Sequence, residues 1–412
     1  MSSLPSLLSA LDAAVAANDG SSYTNALERG LSLPSAADRR SLAIRAVLRA
    51  SGRLPVFVSP ASTPGMELAL QSLPAGTTLD GAADSAIRES LFSYYVDVTG
   101  DYVAAARVLG GKRMDDDPGA YFVDPAGRAD AWLRVAECYL AADPSAHLPE
   151  ADSAVTRAGQ VVDGIPPEAS AIIVRYRGAV ARVLDLNRKF GDAGARYYEL
   201  SRAEGVCHED LLRLLGQAIQ CGVLARDGPG KRRLLSAISK DGRVGDLDAV
   251  PEFSMHSAVL RTMSAGHIVR GGAAAREWSA FVSSLAPHQK IRGGGGLTIP
   301  ERTLLEHNMV AAGKIYKNVY LDELAALLGV SRDLAERNAA GMIRDGRLGA
   351  SIDQVDGLLT FHDGGKKDGA AGPPVGEGSA DAGVIELLRW DDAITAACVQ
   401  LNKITEVIEA SA

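Results

Sequence analysis

The stretch Leu321–Phe361, LDELAALLGVSRDLAERNAAGMIRDGRLGASIDQVDGLLTF, decides how the chain is read. Leu321, Leu324, Leu327 and Leu328 recur at helical spacing up to Gly329, which stops the helix. Ser331 suits the N-cap of a second helix, which runs to about Arg344 and turns Leu334, Ala339, Met342 and Ile343 inward. Asp345-Gly346 closes it. Two short strands follow, around Leu348–Ile352 and Leu358–Phe361, joined through Asp356-Gly357, a strong hairpin signal. Two helices followed by a two-stranded ribbon outline a winged helix, a fold that serves both nucleic-acid readers and protein joints.

Charge separates those two uses. A DNA reader presents basic and amide side chains from its second helix. Between Ser331 and Arg347 the four cations Arg332, Arg337, Arg344 and Arg347 face the three anions Asp333, Glu336 and Asp345, a net charge of only +1. The ribbon adds Asp353, Asp356 and Asp363, which repel phosphate. The whole chain of 412 residues carries a formal charge of −8, with no basic excess to neutralise a phosphate backbone. The module is therefore expected to face protein, with its ribbon edge open to strand addition.

Upstream, the first 250 residues or so read as successive helical hairpins. SLAIRAVLRA (Ser41–Ala50) places Leu42, Ile44, Val47 and Leu48 near one face. Further helices meet at Gly100-Asp101, at Ala142-Asp143-Pro144 and at Gly191-Asp192, each a small residue beside an Asp able to cap the next helix. Turns at that spacing suit an irregular helical-repeat solenoid of the TPR or HEAT kind, in which each unit gains its core from its neighbours. The low aromatic share, 5%, fits closely packed thin helices.

Two Gly-rich stretches read as connections. RGGGG (Arg292–Gly296) lacks the Lys-Ser/Thr pair of a phosphate loop and reads as a tether. Residues 364–383, GGKKDGAAGPPVGEGSADAG, have linker composition. Beyond them, residues 384–410 read as one long amphipathic helix. Leu387, Ile394, Leu401 and Ile408 recur every seven residues, with Leu388, Cys398 and Ile404 on the same face. Such a stripe seeks other helices, whether of this chain or of a partner bundle.

Chemistry-bearing patterns are sparse. Four cysteines are spread without a CxxC pair, and the seven histidines form neither HxH nor HExxH, so no metal site is expected. Cys207-His208 is read as a helix-end pair rather than a dyad, and His307 and Asn308 as core or capping residues. The N-terminus has no Lys or Arg before its apolar run and fits an amphipathic helix better than a signal peptide. No apolar run approaches the length of a membrane span.

Several long runs carry a resemblance: FGDAGARYYELS, APHQK, ERTLLEHNMVAAGKIYKNVYLDELAALLGV, MIRDGRLGASIDQVDGLLTF and WDDAITAACVQLNKITEVIE. They resemble a scaffold subunit of the COP9 signalosome, within the PCI-domain family, strongly from about Phe190 to Phe361 and again from Trp390. Over residues 1–185 the resemblance rests on the helical-repeat plan. It implies a mostly α protein: a helical-repeat arm with the helical part of a PCI domain over 1–290, a winged-helix part over 297–363, a linker over 364–383 and a bundle helix over 384–410. It implies no enzyme activity and no cofactor, since the metalloprotease that removes NEDD8 from cullins belongs to another subunit. The implied partners are other signalosome subunits and, through the arm, a cullin-RING ligase, in nucleus and cytoplasm. No nucleic acid, membrane or small-molecule substrate is expected. The implied sheet interface is Leu348, Ile352, Leu358, Leu359 and Phe361, and the implied bundle seam is Leu387, Leu388, Ile394, Cys398, Leu401, Ile404 and Ile408. A proteasome-lid or translation-initiation subunit shares the plan and is the alternative, followed by a winged-helix nucleic-acid binder.

The charge argument is checked by electrophoretic mobility shift at low ionic strength. The chain is expected to leave duplex DNA unretarded, and replacing Arg332, Arg337 and Arg344 together by Ala is expected to change nothing.

Overall fold

Leu7, Leu11, Ala14 and Val15 lie on one side of the first helix, and that side is buried. The same logic builds the rest of the arm. The computed structural model describes residues 4–73, 81–112, 124–166, 169–293 and 296–362. The chain divides into two compact units, Met1–Lys314 and Ile315–Ala412.

In the first unit the described helices are α1 (Leu4–Ala16), α2 (Gly20–Leu31), α3 (Ala36–Ser51), α4 (Thr63–Gln71), α5 (Gly81–Tyr94), α6 (Tyr102–Gly110), α7 (Pro125–Ala142), α8 (Leu148–Val162), α9 (Ser170–Leu186) and α10 (Phe190–Leu200). They continue with α11 (His208–Leu224), α12 (Pro229–Ser239), α13 (His256–Ala265), α14 (Gly272–Ser284) and α15 (Ile299–Ala312). Their side chains form three successive hydrophobic cores. Helices at the borders serve two cores with neighbouring residues. On α5, Leu91 enters the first core and Phe92 the second; on α6, Val108 enters the first and Leu109 the second. On α9, Val183 belongs to the second core and Ala181 to the third. No unit of the array closes its core alone, as a solenoid requires.

The expected turns fare differently. Gly100 adopts φ +69, which favours glycine, and Asp101 accepts from Ala104 N at 3.0 Å to cap α6. A π turn, Tyr95–Thr99, leads into it. Asp143 accepts from Ser145 N and Ala146 N after α7. The third turn lies earlier than expected. It is made by Asn187, Arg188 and Lys189, with Arg188 at φ +60, and Gly191 and Asp192 fall in the first turn of α10. There the Asp192 carboxylate complements the helix dipole instead of making the turn. The α3 face is also rotated. Ala43, Ala46 and Ala50 join Leu42 and Val47 inside, Ile44 is half-buried and Leu48 is 42% exposed. Alanines permit close helix approach, so they, and not the larger Ile44 and Leu48, occupy the contact.

One close approach is at Gly216 on α11, where an added Cβ would lie 2.5 Å from the Phe253 ring. Next to that contact sits His256, 1% exposed, edge-on to Phe253 and Phe281, with no hydrogen-bond partner at either ring nitrogen. Burial pushes its pKa from 6.5 down to about 4, so the ring is neutral at neutral pH.

The start of the RGGGG run pairs with the residues just past it: Arg292 bridges Thr298, and Gly293 N donates to Leu297 O at 2.9 Å. The boundary between units falls after Lys314. α15 therefore belongs with the arm, whereas the sequence reading starts the second part at residue 297.

The second unit contains β1 (Asn318–Tyr320), α16 (Leu321–Leu328), α17 (Arg332–Arg344), β2 (Ala350–Asp353) and β3 (Leu358–Phe361). Its sheet has three strands in the order β1-β3-β2, all antiparallel neighbours, not the two-stranded ribbon expected. The stripe over 384–410, with the 364–383 linker, lies outside the described residues.

His256 yields a pH prediction. Its folded pKa lies below its unfolded value, so the unfolded chain takes up the proton first. The stability this group contributes is present above about pH 6.5 and is lost as pH falls towards 4. Urea titrations of wild type and His256→Leu between those limits are expected to diverge by up to about 1.4 kcal/mol per pH unit, the wild type losing more.

Candidate functional site

The segment from α15 to β3 holds the longest runs that resemble a known family, and its polar residues are placed in two different ways. On α15 they are buried. Thr298 and Glu301 form a capping box, with Glu301 Oε2 accepting from Thr298 N at 2.8 Å. Along the inward side, Thr303, Glu306, His307 and Asn308 are each at most 7% exposed. Asn308 Oδ1 accepts from Val269 N at 2.8 Å while its Nδ2 donates to Val269 O at 3.0 Å. His307 Nε2 donates to His267 O at 2.9 Å, and burial keeps the ring pKa below its usual value. Thr303 Oγ1 donates to Leu224 O at 3.5 Å, a long bond. One helix thus holds the chain that follows α13 and the end of α11.

Beside it, Lys231 Nζ donates to Val223 O at 2.7 Å and Ala225 O at 3.0 Å. Burial brings its pKa down to about 8, opposed by the Asp227 and Glu306 carboxylates. The ammonium closes the C-terminal end of α11, where a cation complements the helix dipole. A second buried knot joins distant segments: Gln289 Nε2 donates to Asp185 Oδ1 at 3.0 Å, tying the APHQK run to α9. His288 Nε2 lies 3.2 Å from Asp185 Oδ2 without hydrogen-bond geometry. These groups position backbone. Each polar atom that is engaged meets another part of the chain.

Cys207 and His208 sit where α11 begins, with Cys207 Sγ donating to exposed Asp210 Oδ2 at 3.0 Å. That is a helix-start arrangement. Among the described residues no group of three or more His, Cys, Asp or Glu side chains is placed to hold a metal ion.

In the second unit the polar residues serve the surface. The β2–β3 turn is fixed by Asp353 Oδ1, which accepts from Val355 N at 2.9 Å and Asp356 N at 3.2 Å. Gly357 follows at φ +63. Gln354 Nε2 donates to Glu336 Oε1 at 3.0 Å, holding the turn to α17. Two arginines of α17 are engaged: Arg332 pairs with Asp322 at 3.2 Å, and Arg337 Nε donates to Asp333 O at 3.1 Å on its own helix, while Arg344 is exposed and lies 3.8 Å from Asp345. Arg347, just past the helix, pairs with Asp345 at 3.1 Å. A phosphate would have to compete with these partners.

The five expected sheet residues are unequal. Leu348, Leu359 and Phe361 are buried, while Ile352 and Leu358 are half-buried. Leu358, Leu359 and Phe361 stand on β3, which has a strand on each side. Among the described residues the unpaired edges are those of β1 and β2. Sequence reading missed β1, although Val319 and Tyr320 have strong strand preference, because three residues carry too little period to register. Around it lie exposed apolar side chains, Ile315 (65%), Tyr316 (43%) and Tyr320 (56%).

Comparison with known proteins gives a PCI domain match over residues 284–363. The chain is 35% identical over 285 residues to COP9 signalosome complex subunit 4 of Emericella nidulans, covering 68% of this chain and 65% of that protein. It is 30% identical over 343 residues to the Neurospora crassa protein of the same name, covering 82% and 72% respectively. The Arabidopsis thaliana counterpart is 30% identical over 327 residues, covering 78% and 73%. The aligned part thus spans just under two thirds of the Emericella nidulans relative and somewhat more of the other two.

Asn308→Leu would strand the N–H and C=O of Val269 in a buried site. A loss of about 2–4 kcal/mol is expected, since each orphaned group costs roughly 1–3 kcal/mol before relaxation. Urea denaturation of the purified chain measures it.

Proposed function

The chain belongs to the family of COP9 signalosome complex subunit 4, and we propose that it works there as a non-catalytic scaffold. In this reading the PCI sheet joins neighbouring subunits side by side, and Ile352 and Leu358 are the members of the expected interface set exposed enough to take part. Leu348, Leu359 and Phe361 support the sheet from within. The observation that carries the proposal is a three-stranded sheet, inside the matched PCI segment, whose two outer strands pair with β3 on one side and have no strand on the other among the described residues. Unpaired strand edges invite pairing with another chain. A module with unpaired sheet edges suits a joint.

The arm extends the same role. The arm has three consecutive cores, and repeat arrays of this kind leave a long surface for partners, which supports contact with a bound cullin-RING ligase. The heptad stripe Leu387, Leu388, Ile394, Cys398, Leu401, Ile404 and Ile408 would join a bundle with the last helices of other subunits. Residence in nucleus and cytoplasm follows from the same reading.

Co-expression of the full chain with the other signalosome subunits, read by native mass spectrometry, tests the bundle. Removing residues 384–412 is expected to abolish co-purification while leaving the melting curve of the remaining chain in place. A complete complex after truncation would refute the bundle role, and recovery of proteasome-lid subunits by the full chain would refute the assignment of assembly.

A further inference from the structure

We infer that the hollow where α10 and α12 end binds an acidic, extended segment of another protein, one with a carboxylate at every third residue and apolar side chains between. The site uses no residue of the sheet on which the scaffold reading rests.

Charge is the first argument. The chain carries −8 overall, yet residues 226–243 hold six basic residues against two acids, Asp227 and Asp241. Part of that excess is already used. Lys231 is buried on the carbonyls of Val223 and Ala225. The C-terminal ends of helices favour cations beside them, and Arg243 answers that of α10 by donating to Ser201 O. Its Nη2 also donates to Asp241 Oδ2 at 2.7 Å, so the acid in the lining of the hollow is spent. Nearby Glu209 and Asp210 face Arg213. Arg202, Arg233 and Lys240 are exposed, and none of them pairs with an acid among the described residues.

Shape selects the occupant. The hollow has a volume of about 520 Å³, with Tyr198, Leu211 and Ala237 among its lining residues. The Tyr198 hydroxyl donates to Ala237 O at 3.3 Å, which orients the ring, and the Arg202 guanidinium lies 5.8 Å from the ring centre. Arg233 and Lys240 stand two helical turns apart on the α12 face that carries Ala237, a rise of roughly 10 Å. A polyproline-II segment brings every third residue to the same face, about 9 Å further on. Carboxylates at that repeat reach Arg233 and Lys240 together. Arg202 closes the hollow from the α10 side, and an intervening apolar residue rests on Tyr198 and Leu211. Duplex nucleic acid is a poor match, since three cations neutralise few phosphates and the chain as a whole is acidic.

Fluorescence anisotropy of the full chain with a fluorescein-labelled peptide repeating Asp-Leu-Pro tests this. Proline holds the peptide extended and keeps its carboxylates on one face. Saturable binding that weakens as salt rises is expected. Arg202→Ala, Arg233→Ala and Lys240→Ala are each expected to weaken it about fivefold, the effect of one charge contact in water. Arg213→Ala, outside the lining, is expected to leave it unchanged. Should Lys240→Ala disturb the end of α12 in a melting curve, Arg233→Ala carries the test. No binding, equal binding of an Asn-Leu-Pro repeat, or binding indifferent to the three substitutions overturns the inference. Displacement of the peptide by inorganic phosphate at equal concentration overturns it in favour of a small anion, and displacement by duplex DNA in favour of a nucleic acid. None of these outcomes bears on co-purification with signalosome subunits, which tests the scaffold reading.

Discussion

The side-chain amide of Asn308 makes both of its backbone contacts to one residue, Val269, in a site almost without solvent. Much of the arm's C-terminal part depends on this pair and its neighbours on α15. A buried peptide group left without a partner costs more than the average hydrogen bond contributes, so the loop after α13 has a steep preference for the one position where Asn308 completes it. His307, Thr303 and the Lys231 ammonium apply the same constraint to the next carbonyls along. Hydrophobic burial would hold these helices together in several registers. Directional polar contacts select one.

The rest of the arm rests on a looser rule. Its three cores are continuous along the chain because border helices place adjacent residues on different sides, Leu91 and Phe92 or Val108 and Leu109. Stability in such an array is the sum of local packing and neighbour interfaces. Alanine-rich faces such as that of α3 bring helices close, and where even alanine is too large the chain uses Gly216 against Phe253. Surface ion pairs, including Arg175 with Asp130 and Glu137, decorate this frame and contribute little each.

In the second unit, function depends on what is left unsatisfied. The acidic turn is rigid because its carboxylate is spent on two backbone amides, and the helix arginines are held by nearby acids and carbonyls. A phosphate would have to displace those partners from Arg332 and Arg337. Among the described residues, the outer edges of β1 and β2 carry no further strand. Unpaired strand edges of this kind are complementary to another extended segment, which supports the proposed role as a joint.

Sequence alone determined the kinds of element and much of their punctuation. Asp101 and Asp143 at helix ends, the Asp356-Gly357 turn and the one-charge balance of α17 are local features, set by residues a few positions apart. Long ordered runs also pointed to the family. Tertiary structure decided the rest, where a residue's role depends on something distant in the chain. Strand β1 exists because β3 offers it a ladder, and three residues cannot announce that by periodicity. Leu348, Leu359 and Phe361 are apolar in any register, and only the strand order shows that β3 lies in the middle and leaves the edge to others. His307 and Asn308 read as core or capping residues, and only the loop at 267–269 shows which backbone groups they hold. Local chemistry fixes conformation, but exposure and pairing belong to the fold, because both are properties of two segments at once.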